Sequence, residues 1–215
     1  MGVEDPSTSR GPALPPLDAA LCILAGGESR RMGRPKALLP VGSTTLLEWL
    51  IDRLGAHFRE VMVSTAGPGA PLPPGLNAEV VTDLHLRAGP LAGVEAALAA
   101  AEHDPVLVVA VDMPRVTPAL ARALVAACRG HDAAVPRLDG RPEPACAAYS
   151  RSAAGPISAS LRAERRRAAD ALAELDVRYL DEAELEAVGA GRITFANLNT
   201  PSDYRAFLDA LRRSG

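Results

Sequence analysis

Three basic side chains crowd one short stretch of this chain. Arg30, Arg31 and Lys36 fall within seven residues, just after the adjacent glycines Gly26 and Gly27. Glycines let the backbone approach a ligand closely and adopt positive φ. Their exposed N–H groups can hold anionic oxygens. Glycines and cations together suit a polyphosphate, and Lys36 and Arg31 are placed to stabilise charge that develops as pyrophosphate departs. The loop is not a Walker A sequence, because Ala37 follows Lys36, and the adjacent glycines do not make G-x-G-x-x-G. A plain glycine turn with surface arginines is the competing reading. It is the better reading of a lone Gly-Gly and the weaker one for the pair with three cations behind a strand.

Carboxylates and amides supply the rest of the chemistry. Asp112 follows a continuous apolar run in Val109-Ala-Val-Asp-Met-Pro114. Mg²⁺ takes oxygen ligands and commonly bridges one or two carboxylates to substrate phosphates, so Asp112 is the candidate metal ligand. Alone, it could merely begin a turn. Asp83 follows a short β-type run ahead of Gly89-Pro-Leu-Ala-Gly93, where a helix N-terminus can come close to an anion. A solvated loop aspartate is its plainer alternative. Near the C-terminus stands Asn197-Leu-Asn-Thr-Pro-Ser-Asp203. Amides offer donors and acceptors without charge, so Asn199 can position phosphates or metal-bound water; a turn before a helix cap is the alternative for Asn197 and Asn199. His57, His85, His103 and His131 show no metal-ligand spacing, and no Ser-His-Asp or Cys-His arrangement is required.

These groups need a frame that gathers them at one edge. Apolar β-type runs are expected at 20–25, 60–65, 79–82, 106–111, 133–135 and 145–149, with edge strands at 178–180 and 193–197. Helices are expected at 45–56, 89–101 and 117–128, then in 153–175 and finally at 201–212, with Thr117 and Thr200 as N-caps. The 106–111 run lacks alternation, as a strand buried on both faces does. Alternating strands and helices indicate an α/β protein with a mostly parallel sheet covered on both sides. Ligands in such sheets sit beyond the carboxyl ends of the strands, which puts Leu24 to Gly27, Ser64, Asp83, Gly89 and Asp112 in one region.

Composition narrows the class. The 215 residues are 48% apolar but only 3% aromatic, so Ala, Leu and Val must form the core. A net charge of -3 gives no excess pointing to nucleic acid. Cys22, Cys128 and Cys146 are scattered and odd in number, which favours buried reduced thiols over a disulfide framework. No apolar run is long enough for a membrane helix. The first 17 residues, rich in Pro, Ser and Gly, lack the pattern of a signal peptide. Pro6 stands where a myristoylation signal needs Ser or Thr. We therefore expect a disordered tail over 1–17, a single domain over 18–215, and a cytoplasmic protein with no membrane or nucleic-acid partner.

The stretch Leu24-Ala-Gly-Gly-x-Ser-Arg-Arg-Met-Gly-x-x-Lys36 resembles the signature of nucleotidyltransferases of the molybdenum cofactor guanylyltransferase (MobA) type. Asp112-Met-Pro resembles that family's metal-binding motif, and Asp83 matches its aspartate ahead of G-P-L-x-G. Asn197-Leu-Asn-Thr-Pro resembles the guanylyl N-x-N-T-P rather than the D-x-D-T-P of cytidylyl relatives. The resemblance implies a three-layer Rossmann-like nucleotidyltransferase fold, with Mg²⁺ as cofactor. The reaction would be transfer of GMP from GTP to Mo-molybdopterin, with a molybdoenzyme or chaperone as further partner. It also implies nucleotide contacts from Leu24, Ala25, Gly26, Gly27, Lys36, Ser64, Asp83, Gly89 and Asp112. Within 137–149, it marks Arg137 and Arg141 for the acceptor's phosphate, and Pro144 matches a family proline. The Arg162, Arg165, Arg166 and Arg167 cluster reads first as a solvated helix face, and second as a surface for the acceptor or a partner enzyme. Val63-Ser-Thr-Ala66 departs from the family's asparagines beside the base. That departure keeps open a CTP-using relative or another acceptor. A non-catalytic nucleotide-binding protein is the reading from another class.

Overall fold

The computed structural model describes residues 14–26, 32–83, 85, 89–165 and 167–214. The strands and helices run, in chain order, β1 Leu17–Leu24, β2 Pro40–Val41, β3 Thr44–Thr45, α1 Leu46–Leu54, β4 Phe58–Thr65, β5 Glu79–Thr82, α2 Pro90–Ala100, β6 Val106–Ala110, α3 Pro118–Ala127, β7 Ala133–Leu138, β8 Arg141–Pro142, β9 Cys146–Tyr149, α4 Ala154–Arg162, α5 Ala168–Leu172, β10 Val177–Leu180, α6 Glu182–Ala187 and α7 Pro201–Ser214.

One sheet takes the strand order β10-β7-β9-β6-β1-β4-β5, with β8 appended to β7. Pairing is parallel at β1–β4, β1–β6, β4–β5 and β7–β10, while β9 runs antiparallel to both neighbours. The uninterrupted apolar strands have a simple cause. In β1, Ala19, Leu21 and Ile23 enter a core that also holds Leu46, Leu50, Leu120, Leu124 and Phe207. Ala20 and Cys22, one step out of phase, enter a second core with Leu91, Val94, Ile157 and Leu172. A strand covered by helices on both faces has no side left for polar residues. The result is three layers, with α1, α3, α6 and α7 on one face and α2, α4 and α5 on the other.

Helix starts follow the chemistry of their caps. Thr45 and Glu48 form a reciprocal capping box on α1, and the Thr117 hydroxyl accepts from Leu120 N–H at 3.2 Å ahead of Pro118. Gly89 adopts φ 75° immediately before Pro90, a conformation open to glycine and costly to residues with a Cβ.

Several expected elements differ. Strand β1 begins at Leu17 and ends at Leu24, and α1 stops at Leu54 before a short 3-10 turn at Gly55–His57. Strand β6 ends at Ala110, so Asp112 lies two residues beyond it rather than at its last position. The edge strand expected at 193–197 is absent. That segment is a set of turns, closed by Thr194 N–H to Gly191 O at 2.8 Å. Thr194 and Phe195 are buried while Ile193 is 64% exposed. An apolar run reads as a strand, but a strand also needs a neighbour to pair with, and this run has none. The six-residue helix α6 and the short β8 gave too little periodicity to be expected.

All three cysteines are buried and reduced, and burial pushes Cys22 and Cys146 up to about 12 and Cys128 up to about 11, as inert structural thiols require. Among the described residues, no helix is long and apolar enough to cross a membrane.

Candidate active site

The carboxyl ends of β1, β4 and β6 are level with one another. Leu24 is in register with Ser64 on one side and Ala110 on the other. Past these ends the chain keeps the three segments tied together. Ala25 N–H donates to Ser64 O at 2.8 Å, and Val111 N–H donates to Leu24 O at 3.0 Å.

The first cluster forms around Lys36, which opens a single 3-10 turn at Lys36–Leu38. Its Nζ donates to Asp112 Oδ2 at 2.7 Å and to Asn199 Oδ1 at 2.9 Å. The Lys36 and Asp112 side chains are only 14% and 20% exposed, so their attraction is screened less than that of a surface pair. The segments are then fastened to each other, with Leu198 N–H donating to Asp112 O at 2.9 Å. Three stretches distant in sequence thus place an ammonium, a carboxylate and an amide within hydrogen-bond reach.

Lys36 also stands apart in composition. It is the only lysine in the chain, against 22 arginines. Arginine presents a rigid planar fork, whereas lysine is a compact charge with three rotatable donors. A site that must touch a carboxylate and an amide at once suits the lysine.

The second cluster lies on the other flank of Leu24. The Ser64 hydroxyl, 1% exposed, donates to Asp83 Oδ1, and Asp83 N–H donates to Thr65 O at 2.9 Å. Burial raises the Asp83 carboxyl above the ordinary aspartate range, opposed by the hydrogen bond from Ser64. Gly93, in the first turns of α2, sits against this pair. A Cβ there would lie 2.6 Å from Leu24 Cδ2 and 2.8 Å from Ser64 Oγ. A Cβ on Gly26 would lie 2.9 Å from the backbone N of Ala66. These glycines are dictated by close approach rather than by turn geometry alone. The Ser64 hydroxyl proton is engaged by Asp83.

The structure therefore brings Lys36, Asp112 and Asn199 together, and beside them Leu24, Ala25, Gly26, Ser64 and Asp83, with Gly89 at the start of α2, one turn ahead of Gly93. Asn197 contributes its carbonyl, which accepts from Asn199 N–H at 3.1 Å. Gly27, Arg30, Arg31 and Arg166 lie outside the described residues. Arg137 stacks over the Tyr179 ring at 4.9 Å, Arg165 pairs with Glu174 at 3.3 Å, and Pro144 O accepts from the buried Tyr149 hydroxyl at 2.8 Å.

A divalent ion can be tested against these donors. Asp112 and Asn199 turn hard oxygens toward a single cationic atom, Lys36 Nζ. Among the described residues no group of three or more His, Cys, Asp or Glu forms a metal cage. One carboxylate and an amide fit Mg²⁺, which usually keeps waters and completes its shell with substrate phosphates.

A mostly parallel three-layer sheet with a glycine loop after its first strand, and lysine, carboxylate and amide gathered at the carboxyl edge, defines a nucleotidyltransferase. Residues 21–179 match the MobA-like NTP transferase domain family. The chain is 41% identical over 187 residues to a probable molybdenum cofactor guanylyltransferase of Pelotomaculum thermopropionicum, covering 87% of this chain and 90% of the relative. It superposes with TM-score 0.78 and 29% identity on molybdopterin-guanine dinucleotide biosynthesis protein A of Archaeoglobus fulgidus, over 90% of this chain and 99% of that one. A Mycobacterium tuberculosis protein whose structure is a complex with manganese shares the fold, with TM-score 0.57, 21% identity and coverage of 89% and 98%. The chain belongs to the MobA-like NTP transferase family.

Proposed function

We propose that this nucleotidyltransferase is a molybdenum cofactor guanylyltransferase, transferring GMP from GTP to Mo-molybdopterin with release of pyrophosphate. The guanylyl activity and the acceptor follow the names of relatives up to 41% identical. The observation that carries the residue roles is the convergence of Lys36, Asp112 and Asn199 on one edge.

The acceptor's phosphate oxygen attacks the α-phosphorus of GTP, a new P–O bond forms, and the bond to pyrophosphate breaks. Little covalent work falls to the protein, so positioning and charge neutralisation dominate. The backbone from Leu24 to Gly27 cradles the phosphates. Lys36, with Arg31, neutralises charge that accumulates on the leaving pyrophosphate. Lys36 is paired with Asp112 and Asn199, and a triphosphate would offer its ammonium a further anionic partner. Asp112 and Asn199 would then hold Mg²⁺, which supplies Lewis-acid stabilisation of the phosphoryl oxygens when bound. Asp83, oriented by Ser64, and Gly89 hold the nucleoside side. Arg137, stacked on Tyr179, and Arg141 on β8 are the arginines we assign to the acceptor's phosphate.

The reading is tested by incubating the protein with Mo-molybdopterin, Mg²⁺ and either GTP or CTP, then separating the dinucleotide cofactors. Guanine dinucleotide and stoichiometric pyrophosphate are expected. Product from CTP alone would assign the chain to the cytidylyl relatives, and nucleotide binding without product would make it a binding protein.

A further inference from the structure

The Lys36–Asp112–Asn199 cluster lacks an obvious reason to hold Asn199 in place. Asn199 lies in a loop, and its side chain would be free to turn away from Lys36. Its backbone is fixed instead by Asp203, in the first turn of α7. Asp203 Oδ2 accepts from Asn199 N–H at 3.1 Å and from Thr200 N–H at 2.8 Å. In return Asp203 N–H donates to Thr200 Oγ1 at 3.2 Å. Thr200 and Asp203 thus cap α7 reciprocally, with aspartate at the position usually held by Glu or Gln. A cap requires only the bond to Thr200. The second bond, to Asn199 N–H, reaches one residue further back, into the site.

The same turn is fixed to the lysine segment. The Tyr204 hydroxyl, next in sequence, donates to Pro40 O, four residues beyond Lys36. Leu198 N–H is anchored on Asp112 O at 2.9 Å. The Asn199 N–H is therefore shared between Asp203 Oδ2 and the Asn197 carbonyl, each at 3.1 Å, the preceding Leu198 is anchored on Asp112, and from that position the Asn199 amide oxygen meets Lys36. We infer that Asp203 is a positioning residue for nucleotidyl transfer, acting through Asn199 to set the orientation of Lys36 and Asp112 toward the phosphates. The inference rests on the catalytic reading of that cluster, but it makes a claim about the ligand-free protein that can be tested separately.

Lys36 is the single lysine, so an amine-reactive acyl ester reports on it directly by mass spectrometry, with the α-amino group as the only other amine. In the ligand-free protein, Asp203→Ala should raise the acylation rate of Lys36 severalfold, because Asn199 no longer holds Nζ. Asp181→Ala is the control. Asp181 caps α6 with Glu184 in the same reciprocal way but lies away from the cluster. It should cost stability of the same kind and leave Lys36 labelling unchanged. In turnover, Asp203→Ala should lower kcat about ten- to a hundredfold, the range seen when a group supporting a ligand residue is lost, with KM for GTP changing far less. In an Asn199→Ala background it should add little, since both changes interrupt one path. Asp203→Glu should restore labelling and kcat together, and Asp203→Asn, which keeps the shape, serves if the alanine variant fails to fold. Unchanged labelling in Asp203→Ala, or an equal loss of kcat with and without Asn199, would overturn the inference. Slow labelling in the wild type with fast labelling in Asp203→Ala supports it even if GTP proves not to be the substrate.

Discussion

Leu24 separates two clusters built from opposite materials. On the β6 side, Lys36, Asp112 and Asn199 form a charged, hydrogen-bonded group whose members come from three remote segments. On the β4 side, Ser64, Asp83 and Gly93 form a tight group with no cation among the described residues, in which a carboxyl is half-buried and its pKa is pushed up. The first is organised by charge and the second by shape. Groups that stabilise developing charge must be ionised and preorganised, whereas groups that fit a nucleoside need only a well-defined surface. Damage to the two sides should therefore differ in kind: the β6 side governs kcat, and the β4 side governs nucleotide affinity.

The largest effect is expected from Asp112→Ala. Turnover should fall by about a thousandfold, the upper end of the range for loss of a group that stabilises transition-state charge, while the thermal melt remains cooperative. Full activity would remove Asp112 from the mechanism. Next is Lys36→Arg, which keeps the charge but replaces a compact ammonium with a planar fork. We expect kcat to fall by about a hundredfold, measured under saturating GTP. If Lys36→Arg is fully active, the single lysine carries no geometric requirement.

Gly93→Ala acts on the other side. Its Cβ would collide with Leu24 Cδ2 and Ser64 Oγ, so about 1–3 kcal/mol of stability should be lost. GTP affinity, read by calorimetry, should fall more than kcat. An unchanged melt would show that α2 can shift without cost.

The smallest change is Ser64→Ala. The Ser64 hydroxyl opposes the burial that raises Asp83, so its removal should push the Asp83 carboxyl higher still. The acid limb of GTP binding should move to higher pH, with KM rising only a fewfold at neutral pH. For stability the sign is the reverse of an ordinary paired carboxylate. A raised native pKa favours the protonated form, so this contribution is present below the unfolded aspartate value of about 3.9 and is lost as pH rises through the native one. Melts of Asp83→Asn against the wild type should therefore converge in acid and separate, with the variant the more stable, above that window. The opposite trend would mean that Asp83 gains a cation in solution.

The sequence reading and the structure agree best where hydrogen bonding is local. The Thr117 and Thr200 caps were both visible in a few consecutive residues. Agreement is poorest where a partner is required, as in 193–197, whose apolar character was real but whose burial is achieved by turns. Asp203 was in plain view three residues after Thr200, at capping-box spacing, yet spacing alone could not show that its second hydrogen bond goes to Asn199.

By itself the sequence determined the layer architecture, because strands buried on both faces must be apolar throughout. It also singled out the candidate site edge, because the glycine loop and Asp112 both follow such strands. The tertiary structure alone decided that one lysine meets Asp112 and Asn199 together, 76 and 163 residues away. It likewise decided that Gly93 is required by Leu24 and Ser64. Those facts depend on register between parallel strands joined by long crossovers. Register is fixed by packing of the whole sheet against both helical layers, so no local stretch of sequence contains it.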